Sequence, residues 1–250
     1  MAKIITVTNQ KGGTGKTTTA AALTAGLSLR GYKVLCVDMD SQGNLSHSMG
    51  ADRNGATVLG LLTGELTAKE AIQHTRQADT IASKNTLAGA DAFIIGVKKE
   101  YRLKEALEPV KEEYDFILID TPPALGILTV NALTASDSVI VPIEADIYSL
   151  QGVDQLAETI QAVREYCNKD LQIDGLLLTR FNQRSILNRE IVDLAAQLAG
   201  RLGTKLFDAK IREGIAVKEA RILQQNIFEY APNSNPAADY SDLIDELMQE

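Results

Sequence analysis

Gln10-Lys11-Gly12-Gly13-Thr14-Gly15-Lys16-Thr17-Thr18 is the stretch that decides the fold. An apolar, β-rich run, Ile4-Ile5-Thr6-Val7-Thr8, precedes it, and a helix-forming run, Ala20-Ala21-Ala22-Leu23, follows. It therefore reads as a glycine-rich turn between a strand and the amino end of a helix. Glycines at Gly12, Gly13 and Gly15 let the backbone wrap tightly and aim its N–H groups inward. The helix start adds free N–H donors and the positive end of its dipole. That combination suits a phosphate chain. Lys16 can then reach the β- and γ-phosphates, and the Thr17 hydroxyl can ligate Mg²⁺. Glycines alone also fit a plain strand-to-helix turn; the Gly-Lys-Thr-Thr ending separates the two readings.

Two further strands point to the same site. Lys33-Val34-Leu35-Cys36-Val37-Asp38 reads as a buried parallel strand, about thirty residues beyond the first and joined to it by one helix ending at Gly31. That is the spacing of a right-handed βαβ unit. Asp38 and Asp40 end it, ahead of the loop Ser41-Gln42-Gly43-Asn44. Tyr114-Asp115-Phe116-Ile117-Leu118-Ile119-Asp120-Thr121-Pro122-Pro123 holds an apolar strand closing on a carboxylate, the form of a Walker B strand that holds Mg²⁺. Its two prolines force an abrupt exit. In open parallel sheets ligands sit at the carboxyl ends of strands, so these acids share an edge with the glycine-rich loop.

Beyond these, the sequence predicts a turn at Thr63-Gly64-Glu65, a helix over Ala68 to Gln77 and a short strand near Thr80-Ile81-Ala82. Helical sequence runs from Leu87 through Leu107. Strands are expected at Val139–Ile143 and Gly175–Thr179, with a strand or loop at Thr204–Phe207. Helices are expected at Ser149–Tyr166, Ile186–Leu198, Ala216–Gln224 and Pro236–Met248. Alternating βα units predict an α/β fold: a doubly wound, mostly parallel sheet with helices on both faces, in one P-loop domain over residues 1–250.

The chain of 250 residues is 45% hydrophobic and 23% charged, ordinary values for a globular protein. Its apolar runs fall short of the roughly 20 residues of a membrane span. The amino end, with strand and loop beginning almost at Met1, does not read as a signal peptide. A cytoplasmic protein is the expectation. Cys36 and Cys167 lie far apart, which argues against zinc and against a cysteine-bridged cluster. His47 and His74 lack partners at ligand spacing. The net charge of −8 argues against nucleic acid, but its distribution is uneven. Arg180 to Arg221 carries nine Lys/Arg against five Asp/Glu, whereas Ile222 to Glu250 carries six acids and no Lys or Arg.

Gln10 stands where the ordinary P-loop has its first glycine, and a second lysine, Lys11, sits inside the loop. Lys-Gly-Gly-x-Gly-Lys-Thr is the deviant Walker A pattern of the ParA/MinD ATPases. Other segments resemble the short form of the ParA (Soj-like) partition ATPases: Val37-Asp38-Met39-Asp40-Ser41-Gln42-Gly43-Asn44, Asp120-Thr121-Pro122-Pro123 with Leu128-Thr129-Val130-Asn131-Ala132-Leu133, and Phe228-Glu229-Tyr230-Ala231-Pro232. Ser41 departs from the family's proline, and Lys210-Ile211-Arg212-Glu213-Gly214 stands where many members have Pro-Arg-Asn. The larger family form carries an amino-terminal operator-reading region; with the P-loop starting at once, autoregulation by that route is not expected.

The resemblance, together with the chemistry above, implies an ATPase that uses ATP and Mg²⁺ and turns over slowly unless stimulated. Backbone groups of Gly12, Gly13, Thr14 and Gly15 cradle phosphates, and Lys16 stabilises β/γ charge. Thr17 and Asp120 hold Mg²⁺, with Asp38 supporting the metal shell or the loop after its strand. Thr18 is placed against the α-phosphate, and Asp40 at the attacking water. Lys11 is the signature lysine that crosses a two-fold interface in an ATP-sandwiched homodimer. Arg180 and Arg212 are the adenine candidates. Arg184 falls where the family carries a DNA-contacting arginine, and local charge adds Lys218 and Arg221. The implied partners are non-specific duplex DNA and a ParB-type centromere-binding protein that stimulates hydrolysis, with nucleoid association in the ATP state. The alternative, a MinD-like membrane ATPase, calls for a basic amphipathic end; this chain ends in acidic Asp242-Leu243-Ile244-Asp245-Glu246-Leu247. Amide-forming synthetases need a substrate segment, and bacterial tyrosine kinases a tyrosine-rich tail; neither is evident.

Overall fold

Seven strands form one sheet in the order β3-β4-β2-β5-β1-β6-β7. They are β1 (Lys3–Val7), β2 (Val34–Asp38), β3 (Ile72–His74), β4 (Asp79–Ile81), β5 (Phe116–Asp120), β6 (Ser138–Glu144) and β7 (Gln172–Thr179). The computed structural model describes residues 1–146, 153–182 and 188–249. All neighbouring strands run parallel except β3 against β4. The chain leaves β1 to build one half of the sheet and returns on its other side with β6. β1 thus sits at the point where the winding reverses, and the glycine-rich loop leaves its carboxyl end.

Strict alternation divides each central strand between two cores. Leu35, Val37, Ile117 and Ile119 belong to one apolar cluster, with Leu61, Leu103 and Ala132 from the helices Val58–Thr63, Arg102–Leu107 and Ile127–Ala135. Cys36, Leu118, Ile5 and Val7 face the opposite cluster, with Leu23 from the helix Lys16–Leu29 and Leu243 from the helix Asn235–Met248. Strands buried on both faces explain the unbroken apolar runs in sequence. Cys36 is fully buried.

The helix Lys16–Leu29 is apolar nearly all round because it is covered on both sides, by the sheet and by the helix Asn235–Met248. A methyl group at Gly26 would overlap Ile244 Cδ1 and press on the Phe228 ring. Near the loop, the Tyr240 and Thr19 hydroxyls share a buried hydrogen bond of 3.2 Å.

The helix predicted over Ala68–Gln77 is corrected. It stops at Ala71, and Ile72–His74 pairs antiparallel with β4 as the sheet edge. Thr67 and Glu70 start the helix with a reciprocal cap, as its sequence requires. Backbone pairing with Asp79–Ile81 then overrides its continuation. The Gln73 side chain, which donates to Asp52 O (2.8 Å) and Ala56 O (3.1 Å), fixes the edge strand in place. The predicted strand near Thr80 is β4. The helix predicted from Ser149 is described from Val153 to Tyr166, and that predicted from Ile186 is described over Asn188–Arg201. His74 Nδ1 lies 2.7 Å from Asp79 Oδ1, and His47 Nδ1 lies 3.3 Å from Gln224 Nε2.

Candidate nucleotide-binding site

The glycine-rich loop is built for close approach. Gly13 (φ 82°) and Gly15 (φ 90°) adopt left-handed backbone that other residues resist, and Gly15 forms the amino cap of the helix. Its partners come from distant strands. Asn9 accepts from Lys11 N (3.0 Å) and donates to Pro142 O (2.7 Å), tying the loop to β6. Thr179, at the end of β7, donates to Thr14 O at 2.9 Å. Inside the loop, the Lys16 ammonium donates to Lys11 O at 3.2 Å. Burial lowers the pKa of that ammonium, while Asp120 and Asp40 oppose the shift.

The loop forms one wall of a cleft of about 390 Å³. Gly12, Gly13, Gly15, Lys16, Thr17 and Thr18 line that wall; Asp40, Gln42, Arg180, Arg212, Lys218 and Arg221 are among the residues opposite. The volume is that of a small-molecule site. Arg180 holds a left-handed conformation (φ 49°) and pairs with Glu144 at 3.1 Å. Arg212 is forked onto the buried Asp239 carboxylate, with Nε 3.0 Å from each oxygen. The Arg212 side chain is thereby fixed in place at the cleft. Lys218 and Arg221, expected from local charge to face DNA, sit on the rim of this cleft on the helix Ile215–Ile222. Arg184 lies outside the described residues.

Asp38 and Asp120 are buried at adjacent strand ends, and their surroundings differ. Asp38 accepts from Asp40 N (3.0 Å), Ser46 N (2.7 Å) and Ser46 Oγ (2.7 Å). Both its oxygens are engaged by the loop and by the helix Asn44–Met49, which fits support of the loop better than metal ligation. Neither Asp120 oxygen has a hydrogen-bond partner of good geometry. Burial above all, then Asp38, pushes its pKa well above the usual carboxylate range, although the nearby Thr17 hydroxyl and Lys16 ammonium pull it down. A buried carboxylate without a partner is costly unless something cationic completes it. Asp120 and Thr17 are hard oxygen donors of the kind Mg²⁺ takes, one or two protein oxygens with phosphates and water supplying the rest. Among the described residues no group of three acidic, histidine or cysteine side chains is placed to hold a metal by itself.

Lys11 is held within its own chain. Its ammonium lies 3.2 Å from Asp146 Oδ2 and 3.9 Å from Glu144 Oε2. Sequence reasoning passed over Asn9, Thr179, Glu144 and Tyr240. The available signal was position alone: Thr179 and Glu144 close their strands at the edge where a ligand is expected. No helix among the described residues is long and apolar enough to cross a membrane.

Comparison with known proteins adds four findings. A family model described as an AAA domain matches residues 2–173. The chain is 39% identical over 252 residues to the sporulation initiation inhibitor protein Soj of Bacillus subtilis, covering 99% of this chain and 98% of that protein. It is 35% identical over 252 residues to the chromosome partitioning protein ParA of Myxococcus xanthus, covering 99% and 88%. Among solved structures, cobyrinic acid a,c-diamide synthase from Mycobacterium smegmatis with bound ADP and magnesium aligns with a TM-score of 0.87 at 32% identity, covering 100% of this chain and 95% of that one.

Proposed function

The chain belongs to the ParA/Soj family of partition ATPases, and from that premise we propose that it is an ATP- and Mg²⁺-dependent DNA-segregation ATPase. The observation that carries the reading is Asp120, a buried carboxylate without a hydrogen-bond partner, beside a glycine-rich loop that opens on a cleft of nucleotide size.

The N–H groups of Gly12 to Gly15 bind phosphate oxygens, and the Lys16 ammonium compensates charge on the β- and γ-groups. Thr18 meets the α-phosphate. Thr17 and Asp120 hold Mg²⁺, which when bound supplies further compensation of phosphate charge. Asp40 orients the attacking water, and Asp38 holds the loop that carries Asp40. Arg180 and Arg212 border the base. Lys11 leaves Asp146 and Glu144 to reach the nucleotide of a second subunit, so ATP sits between two copies and hydrolysis releases them. The ATP-bound dimer binds duplex DNA without sequence preference through Arg184, with Lys218 and Arg221 flanking, and a ParB-type partner accelerates turnover. The assembly is cytoplasmic and nucleoid-bound in its ATP state.

The test is retention of unrelated duplex DNA by the purified protein with ATP, ADP or no nucleotide, at two salt concentrations. Retention that requires ATP, ignores sequence and falls steeply with salt is the expected result. ATP turnover without DNA retention in any state would overturn the segregation role. It would point to a metabolic enzyme, as the structural neighbour is named, or to a membrane ATPase, which liposome binding would separate.

A further inference from the structure

Asp40 and Gln42 lie on a short loop between β2 and the helix Asn44–Met49, and that loop is clamped from outside the cleft. We propose that Arg53 is a positioning residue for hydrolysis, holding this loop, and with it Asp40, at the phosphate site. The inference rests on the assignment of Asp40 to the attacking water made above.

The clamp begins at Gly43, whose φ of 66° places its Cα against the Arg53 side chain; a Cβ there would overlap the guanidinium. The guanidinium is itself fixed. Its Nε donates to Ser83 O at 3.0 Å and its Nη2 to Asn85 Oδ1 at 3.3 Å, both just beyond the end of β4. Ser83 N donates to Ser46 Oγ at 2.8 Å, and Ser46 Oγ donates to Asp38 Oδ2 at 2.7 Å. Asp38 Oδ1 in turn accepts from Asp40 N at 3.0 Å. The chain of contacts closes on itself, from Arg53 through Ser83, Ser46 and Asp38 to Asp40, and back through Gly43 to Arg53. Within the loop, Gln42 N donates to Asp40 Oδ1 and Gly43 N to Asp40 O, each at 2.9 Å. The Asp40 carboxylate thus has its orientation set by a segment that Arg53 covers.

The partners of Arg53 are neutral oxygens, a main-chain carbonyl and an amide, so its role is one of shape. A planar fork lying on a glycine can meet both acceptors at once; a lysine ammonium on a flexible stem cannot. Displacement of a reacting group by about 1 Å can cost on the order of a hundredfold in rate. Loss of the clamp, which loosens the loop without removing Asp40, is expected to cost less, about tenfold in kcat.

Two measurements on Arg53→Ala and Arg53→Lys test this. The first is hydrogen exchange at the Gln42 and Gly43 amides of the nucleotide-free protein, with the amides of the helix Lys16–Leu29 as internal reference. The second is steady-state ATP hydrolysis, normalised to the fraction of protein that binds nucleotide. Arg53→Ala should speed exchange at Gln42 and Gly43 alone and lower kcat about tenfold, with KM for ATP within about twofold of the parent. Arg53→Lys should fall between, which keeps the test open if the alanine variant folds poorly. Unchanged exchange at the two amides would overturn the clamp, and faster exchange with unchanged kcat would overturn its role in hydrolysis. Absence of ATP turnover in the parent protein would be a failure of the proposed function itself, and the exchange measurement would still decide the clamp.

Discussion

Asp38 and Asp120 are register partners at the carboxyl ends of β2 and β5, both fully buried; Asp38 accepts three hydrogen bonds, whereas neither Asp120 oxygen has one of good geometry. Burial pushes Asp38 up to about 6 and Asp120 well above the usual carboxylate range, and the Asp38 charge raises the cost of ionising Asp120 further. Ionising Asp120 in the folded chain is therefore unfavourable, a cost that a cation beside it would relieve.

Asp120→Asn should for that reason stabilise the nucleotide-free protein, by about 1–3 kcal/mol on the scale of one unsatisfied buried group. It should also remove the added stability that Mg²⁺ with nucleotide confers. The pH dependence follows from the sign of the shifts. The folded state binds protons that the unfolded state has released between roughly pH 4 and the raised values. Stability of the parent protein should therefore rise as pH falls from 7.5 to 5.5, and Asp120→Asn should flatten that slope. Urea unfolding at the two pH values measures both; a destabilised Asp120→Asn would contradict the account.

Lys11→Ala should abolish nucleotide-dependent dimerisation while leaving the fold intact, because its ammonium is partly exposed and serves no core contact. A sizing column run with ATP and with ADP reads the result. Dimers that persist in the variant with ATP would remove Lys11 from the interface.

Lys218 and Arg221 line the cleft beside the glycine-rich loop, so a nucleotide-binding assay bears on them as well as a DNA assay. Substituting either with alanine should weaken ATP binding as well as DNA retention. Arg184→Ala should weaken DNA retention alone and reduce the salt slope by about one. Equal effects of all three on DNA, with none on ATP, would place Lys218 and Arg221 on the DNA face after all.

Gly26→Ala should destabilise the protein even though alanine is the better helix former by about 1 kcal/mol. The added methyl overlaps Ile244 Cδ1, and overpacking costs about 1–3 kcal/mol. Removing the offending carbon with Ile244→Val in the same chain should recover most of the loss. Thermal unfolding of the single and double variants decides it.

What could be read from the sequence was local. β1, β2, β5, β6 and β7 announced themselves as continuous apolar runs, since both their faces are covered. The glycine-rich loop and the acid-ended strand β5 were legible because each keeps its pattern within a few residues. The edge strand Ile72–His74 was not, because three residues carry no readable period and only pairing with β4 makes them a strand. Thr179 and Asn9 were missed for a related reason: their bonds to the loop and to β6 span 165 and 133 residues. Arg53 was hidden more deeply, since its partners are main-chain and amide oxygens brought near by the end of β4.

The burial of Lys16–Leu29 beneath Asn235–Met248 also bears on how the chain is made. Thr19 and Tyr240, which share a hydrogen bond behind the loop, are separated by 221 residues. On a ribosome adding about 5–20 residues per second, the loop emerges many seconds before the segment that roofs its helix. Until that segment arrives, Leu23 and Leu27 stay open to solvent and to chaperones. The hydrogen bond between Tyr240 and Thr19 therefore closes behind the glycine-rich loop long after the loop itself has been made.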